Sequence, residues 1–147
     1  MAKFWLENDE VCSDEDLSVF DDHQFGEILY GLKKGLDVCV YAKTEFRSNQ
    51  MLQIRLGLRH GVDVSIYAKP EFSTEQMREI RLGLEHGVDI ENYAKLVFDR
   101  WQMKQIRFGL ESDIDVNVYA KPEFGWLEMS KIRRDLEEEK YQCVYRT

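Results

Sequence analysis

Four arginines recur at one spacing and are the residues best suited to bind a charged ligand. A row of guanidinium groups can grip the phosphates of a nucleic acid. The same groups can instead bond carboxylates or helix-end carbonyls within the protein, for instance those of recurring aspartates. We favour this structural interpretation, because a residue repeated in every unit of a fold makes the same contact each time. Nucleic-acid binding through the arginine ladder is the alternative. The arginines follow at intervals of 26 residues: Arg55, Arg81, Arg107 and Arg133.

Tyrosines recur at the same interval. Their rings could stack on nucleic-acid bases, but we predict that they pack in the core with the hydroxyl hydrogen-bonded. They are Tyr41, Tyr67, Tyr93 and Tyr119.

Motifs for catalysis or metal binding are not found in the sequence. His60 and His86 are also 26 residues apart, but two histidines alone make a weak metal site. No glycine-rich phosphate loop, G-x-S-x-G elbow or H-E-x-x-H pair occurs. We therefore expect no enzyme activity, no cofactor and no metal.

Two tryptophans and an arginine are the best candidates for contact with a partner. Repeat proteins keep the residues of their fold and vary those of their contacts. Trp101 and Trp126 stand at variable positions of adjacent units, with Arg100 beside them. Trp and Arg are enriched at interface hot spots. The alternative is that both tryptophans close the C-terminal end of the core.

A second candidate surface is the acidic N-terminal segment. Residues 1–22 carry a net charge of −7 out of −8 for the whole chain, so the acidity is local. Such a segment repels nucleic acid and attracts a basic surface. The candidate contact residues are Glu10, Asp14, Glu15 and Asp16. Clustered acids are often only a solvated face; the sharper hypothesis is mimicry of nucleic-acid charge in the basic channel of a nuclease.

A 26-residue repeat must position all of these residues. Phenylalanines mark the starts of five units: Phe20, Phe46, Phe72, Phe98 and Phe124. We predict an all-α solenoid of helix–turn–short-helix units in a single domain. It comprises an N-terminal cap at 1–19, repeats at 20–45, 46–71, 72–97 and 98–123, and a C-terminal capping repeat at 124–147.

The third unit shows how each helix should begin and end. Ser73 with Gln76 forms a capping box, and Gly87 supplies the left-handed residue after the helix. Asp89 then suits the N-cap of the short helix. Gly83 lies inside the long helix, where glycine costs about 1 kcal/mol. We attribute it to the close approach of a neighbouring backbone.

The composition is that of a folded protein without a membrane span. No stretch approaches about 18 consecutive apolar residues. The first residues lack the apolar core of a signal peptide, so we expect a cytoplasmic protein. Cys12, Cys39 and Cys143 are odd in number and widely spaced, which favours free thiols.

The segment 50–72 carries the motif Q-M-x-x-I-R-x-G-L-x-x-G-V-D-V-x-x-Y-A-K-P-E-F. This motif resembles a helical repeat of bacterial proteins encoded near phage or mobile-element genes. The resemblance covers residues 20–136 and implies no catalytic residues. It implies an accessory role, such as inhibition of a host defence system (anti-CRISPR or similar). The sequence thus predicts a protein-interaction scaffold whose partner is a protein with a basic surface, such as a nuclease, rather than a nucleic acid or a membrane.

Overall fold

The computed structural model describes residues 17–146, and within them it is all-helical, with no strand. This confirms the all-α part of the predicted fold. Five α-helices begin 26 residues apart: α1 (Asp22–Lys33), α2 (Ser48–Arg59), α3 (Thr74–Glu85), α4 (Arg100–Glu111) and α5 (Trp126–Tyr145). Five three-residue 3-10 helices alternate with them: Leu17–Val19, Val38–Val40, Val64–Ile66, Ile90–Asn92 and Val116–Val118. None of the helices in this range has both the length and the apolar composition needed to cross a bilayer.

The helices belong to two compact units that divide between Met77 and Arg78, inside α3. In the first unit α1 packs against α2, and in the second α4 packs against α5. Neighbouring helices therefore pack in series within each unit.

The predicted caps are present around α3. The Ser73 amide donates to Gln76 Oε1 at 2.9 Å, and the Gln76 amide donates to Ser73 Oγ at 3.1 Å. Gly87 has a φ of 72° and ends the helix as expected. The fourth turn of this kind uses Asp113, with a φ of 54°, in place of a glycine.

The aspartates before the short helices act as caps in three of four cases. Asp63, Asp89 and Asp115 each accept a bond from the amide two residues on, at 3.1 Å. Asp37 makes no such side-chain bond. The four short helices that follow these aspartates are single 3-10 turns of three residues, and a tyrosine is the C-cap of each.

The core repeats the same helix positions in both units. Its isoleucines are fully buried: Ile28, Ile54, Ile80 and Ile106. The methionines Met51, Met77, Met103 and Met129 are equally enclosed. Ile132, the equivalent residue of α5, is only partly buried.

A tyrosine fills the space beside each glycine that recurs on the 26-residue period inside the long helices. A Cβ placed on Gly83 would overlap the Tyr93 hydroxyl and lie 2.8 Å from Ile90 Cγ2. Gly31, Gly57 and Gly109 face Tyr41, Tyr67 and Tyr119 in the same way. The expectation that a neighbouring backbone approaches these glycines is therefore wrong: the close neighbour is a side chain ten residues further along the same chain segment.

One cysteine also departs from expectation. Cys39 is disulfide-bonded, whereas Cys143 is free and exposed. The expectation of free thiols is thus wrong for Cys39, since wide spacing along a chain does not prevent two thiols from meeting once it folds.

Candidate interaction surface

Trp101 and Trp126 lie together on the surface of the second unit. Their ring centroids are 5.8 Å apart, and the ring planes are tilted by 33°. Trp101 keeps 42% of its surface exposed and Trp126 keeps 40%, whereas the core tyrosines keep none. The next residue, Leu127, is 66% exposed. This exposure does not support the alternative that the two rings close the core.

Two cations lie against the Trp101 ring. The Arg100 guanidinium carbon is 4.4 Å from the ring centroid, and Lys104 Nζ is 5.7 Å from it. Both distances fall within the range of cation–π attraction. We call Trp101, Trp126, Leu127, Arg100 and Lys104 the aromatic patch.

The capped first turn of α4 holds two residues of the aromatic patch, Arg100 and Trp101. Asp99 Oδ1 accepts bonds from the amides of Trp101 and Gln102, both at 2.9 Å. The Asp99 amide in turn donates to Gln102 Oε1 at 2.9 Å. This capping box holds Arg100 and Trp101 on the first turn of a rigid helix. Trp126 is the first residue of α5, so its ring also projects from a helix start.

The acidic candidates belong to the segment that precedes the described residues. Glu10, Asp14, Glu15 and Asp16 lie outside the described residues. Their proposed contact with a partner stays a prediction from the sequence.

The recurring arginines bond glutamates within the protein. Arg55 Nε donates to Glu27 Oε2 at 2.7 Å, and Arg107 Nε donates to Glu79 Oε2 at 2.9 Å. Arg133 Nε donates instead to the amide oxygen of Gln105, at 3.1 Å. Arg55 and Arg107 are only 8% and 5% exposed. A structural role is therefore seen, but the partners are glutamates rather than the aspartates suggested by the sequence.

In the second unit these bonds extend into a charged network that reaches the surface. Arg107 Nη1 donates to Glu111 Oε1 at 2.6 Å, and His86 Nδ1 lies 2.6 Å from the same oxygen. Burial by itself raises the pKa of Glu111, but the hydrogen bonds and charges of His86 and Arg107 outweigh it and hold that pKa below its usual value. Burial likewise favours loss of the Arg107 charge, yet the bonds to Glu111 and Glu79 raise its pKa.

The tyrosine hydroxyls are bonded as predicted. Each donates to a helix carbonyl 14 residues earlier, at 2.7–2.9 Å. Burial raises the pKa of Tyr41, Tyr93 and Tyr119, so these phenols stay neutral donors near pH 7. Enclosed rings of this kind are not available for stacking on a base.

The capping glutamines have a second role that the sequence did not reveal. Besides closing its own helix start, Gln50 donates through Nε2 to the carbonyl of Phe72, at 2.8 Å. Gln24 makes the same bond to Phe46 at 2.7 Å, and Gln102 makes it to Phe124 at 2.8 Å. The recurrence of Gln and Phe on one 26-residue period was the signal that could have suggested this pairing.

A groove lies beside the C-terminal half of α5 in the second unit. It has a volume of about 440 Å³ and is lined by Ser112, Glu137, Lys140, Tyr141, Val144 and Tyr145. Lys140 Nζ donates to the carbonyls of Ser112 and Asp113, at 3.1 and 2.9 Å, and so satisfies the end of α4. His, Cys, Asp and Glu side chains form no group of three suited to a metal ion within residues 17–146.

No model of a known protein family matches the chain, and neither a curated protein nor a solved structure matches it significantly.

Proposed function

We propose that this protein is a protein–protein interaction scaffold that presents the aromatic patch to its partner. The observation that carries the proposal is the pair of neighbouring tryptophans at the surface, each about two-fifths exposed, with two cations on one ring. Large amphipathic side chains held on rigid helix starts lose little conformational freedom on binding, and Trp and Arg dominate interface hot spots. The proposal contains no catalytic step.

In its finer form the proposal joins the five 26-residue units into one solenoid, as their matching residues suggest. The resemblance to repeats encoded near mobile elements supports inhibition of a host defence system as the specific role. In that case the acidic N-terminal segment, with Glu10, Asp14, Glu15 and Asp16, contacts a basic surface of the target.

Nucleic-acid binding through the arginine ladder has less support. Arg55, Arg81 and Arg107 are buried, and each of the three is bonded to a glutamate. The net charge of −8 also opposes association with phosphates.

The test removes the two rings with substitutions that other units already contain. Trp101 takes the position of Asn49, and Trp126 that of Ser48, so a Trp101→Asn, Trp126→Ser protein should fold. Wild-type protein and this variant are used as baits in a native-host lysate, with quantitative mass spectrometry of the captured proteins. We expect the variant to lose the main partner by about 10-fold or more, as for removal of a hot spot.

A control variant removes a more exposed aromatic ring elsewhere in the second unit. Tyr141 is 62% exposed at the far end of α5, and Tyr141→Ser should leave capture unchanged. Thermal melts of all three proteins check that each is folded. Undiminished capture by the folded Trp101→Asn, Trp126→Ser variant would refute the aromatic patch as the binding surface.

A further inference from the structure

We propose that the aromatic patch binds an acidic protein segment: an apolar side chain of the partner packs on the two tryptophans while an adjacent carboxylate meets Lys104. This inference rests on the proposed function and names the chemistry of the partner.

The rings offer an apolar surface that the protein does not cover itself. Trp101 and Trp126 shield one another with centroids 5.8 Å apart, yet each keeps two-fifths of its surface exposed. Leu127, next along the chain, extends this surface with 66% exposure. Exposed large apolar side chains that cluster are typical of a binding site, whereas scattered ones need no explanation.

The positive charge beside Trp101 indicates the charge expected of the partner segment. Both Arg100 and Lys104 lie over the face of Trp101, and Lys104 Nζ is also 5.6 Å from the Phe108 ring centroid. Their aliphatic stems can cover apolar surface while the charged heads stay near its edge. A segment that packs on the rings therefore passes the positive charge of Lys104. Carboxylates form charge-assisted bonds there, whereas a basic segment would be repelled.

The nearest carboxylate of the same helix start does not cancel this preference. Asp99 accepts the amides of Trp101 and Gln102 and is held in the capping box of α4. Its negative charge is stabilised by the helix terminus and is directed toward the backbone rather than toward the rings.

The fold does not require these residues. The positions of Arg100 and Trp101 are filled by Ser48 and Asn49 at the start of α2, and by Thr74 and Glu75 at the start of α3. Those helices form with small or polar residues in the same places. Two tryptophans at such positions are explained by binding more readily than by folding.

The aromatic patch is better suited to an acidic protein segment than to a single-stranded nucleic acid. Aromatic rings with cations can stack on bases. However, nucleic-acid binding depends on contacts to many phosphates, and the cations over the Trp101 ring could neutralise only a few of them. A short acidic segment with an apolar anchor needs only the local cations.

The experiment selects random dodecapeptides displayed on phage against the full chain. Peptides retained by wild type, but not by the Trp101→Asn, Trp126→Ser variant, are sequenced. The best one is synthesised with a fluorescein label, and its affinity is measured by anisotropy. We expect the retained peptides to be enriched in Asp and Glu around a Leu or an aromatic residue. Lys104→Glu should weaken binding by about 10-fold or more, and Tyr141→Ser should not. Binding should also weaken as salt rises from about 0.05 to about 0.3 M.

Three results would overturn the inference: enrichment of basic peptides, no peptide that depends on the tryptophans, or tighter binding of a labelled oligo-dT than of the selected peptide. These results differ from failure of the proposed function. If lysate capture still depends on Trp101 and Trp126 while selection yields no acidic peptide, the surface is correct and its ligand chemistry is wrong. If neither measurement depends on the tryptophans, both proposals fail.

Discussion

At the scale of single residues, Arg107 shows how buried charge is held in this protein. Its guanidinium group lies between Glu79 and Glu111, with N–O distances of 2.9 and 2.6 Å. A buried charge is tolerated only where partners and hydrogen bonds replace the lost water. The two carboxylates approach different nitrogens, Nε and Nη1, so the planar fork of arginine is needed rather than its charge alone.

Arg107→Lys should therefore destabilise the protein by about 1–3 kcal/mol, because one ammonium cannot reach both carboxylates in the same geometry. Urea unfolding of the variant and wild type measures the change. Arg134→Lys is the control: Arg134 is exposed, and its substitution should shift stability by less than about 0.5 kcal/mol. Equal stability of Arg107→Lys and wild type would remove the structural role from this position.

Glu111 makes part of this network dependent on pH. His86 and Arg107 hold its pKa below the ordinary value of 4.5. The folded state therefore favours the carboxylate, and its contribution is present above about pH 4.5 and is lost as the pH falls through the lowered pKa. Glu111→Gln should cost about 1 kcal/mol at pH 6, a modest value since the side chain is 26% exposed. Urea unfolding measures the difference in stability between wild type and Glu111→Gln at pH 6 and at pH 3. We expect this difference to be smaller at pH 3. An equal difference at both pH values would exclude the linkage between Glu111 ionisation and stability.

The 26-residue spacing predicted the structural role of the recurring arginines, but it did not predict their bonding partners. Arginines on the repeat period were expected to be structural, and they are. Glu27 and Glu79 lie 28 residues before Arg55 and Arg107, so their pairing depends on how one helix packs on the next. Periodicity along one helix carries no information on that packing, and the aspartates, which begin the short helices, were the wrong partners.

At the scale of elements, a tyrosine and a glycine join each of the last four short helices to the long helix that precedes it. Tyr93 follows the 3-10 turn Ile90–Asn92 and donates its hydroxyl to the carbonyl of Glu79 on α3. Only a residue without a Cβ at position 83 leaves room for that hydroxyl. The recurrence of a costly glycine inside each of α1 to α4 indicated that a close contact requires it. The helix ends were predicted separately, from capping residues next to them in the sequence. The contact is made by the tyrosine ten residues further on, and capping signals do not predict such a contact.

Two glycines inside helices should respond to alanine with opposite signs. Gly83→Ala places a methyl group against the Tyr93 hydroxyl and should destabilise the protein by about 1–3 kcal/mol through overpacking. Gly26 lies in α1 with nothing near its Cβ position, so Gly26→Ala should stabilise by about 0.5–1 kcal/mol through helix propensity. Chemical denaturation of both variants decides this. In a Tyr93→Phe background the cost of Gly83→Ala should shrink; an unchanged cost would show that the hydroxyl is not the obstacle.

Helix α5 differs from the others in the groups that bond a following unit. Glu128 stands where Gln102 donates an amide hydrogen, and a carboxylate has no such donor. Lys131 stands where Gln105 accepts a bond from Arg133, and an ammonium group cannot accept one. Residues 124–147 therefore lack two of the groups that bond one helix to the next elsewhere in the chain, and their role as a capping repeat stays a prediction.

At the scale of the whole molecule, charge is distributed unevenly. Residues 1–22 carry a net −7, and the remaining 125 residues carry a net −1. The aromatic patch, with Arg100 and Lys104, lies in the nearly neutral part. Under the two proposals made above, the acidic segment meets a basic surface and the aromatic patch meets carboxylates. Two sites of opposite preference fit a scaffold that contacts one partner at two places or two partners at once.

The acidic segment should act mainly on the rate of association. Electrostatic attraction steers an encounter from a distance and is screened by salt, while packed contacts chiefly set the rate of dissociation. Neutralising Glu10, Asp14, Glu15 and Asp16 to Gln or Asn removes four of the charges that create this field. With the captured partner immobilised for surface plasmon resonance, we expect the association rate to fall by about 10-fold at low salt. It should fall much less at about 0.5 M salt, and dissociation should be nearly unchanged.

A variant with the same charge change elsewhere separates steering from net charge. The four exposed acids to neutralise for this purpose are Glu123, Asp135, Glu138 and Glu139. This control alters the total charge equally but leaves residues 1–22 intact, so its association rate should stay close to that of wild type. If both variants slow association to the same extent, total charge alone governs the encounter. If neither does, the acidic segment has no role in steering, and binding depends on the packed contacts of Trp101 and Trp126.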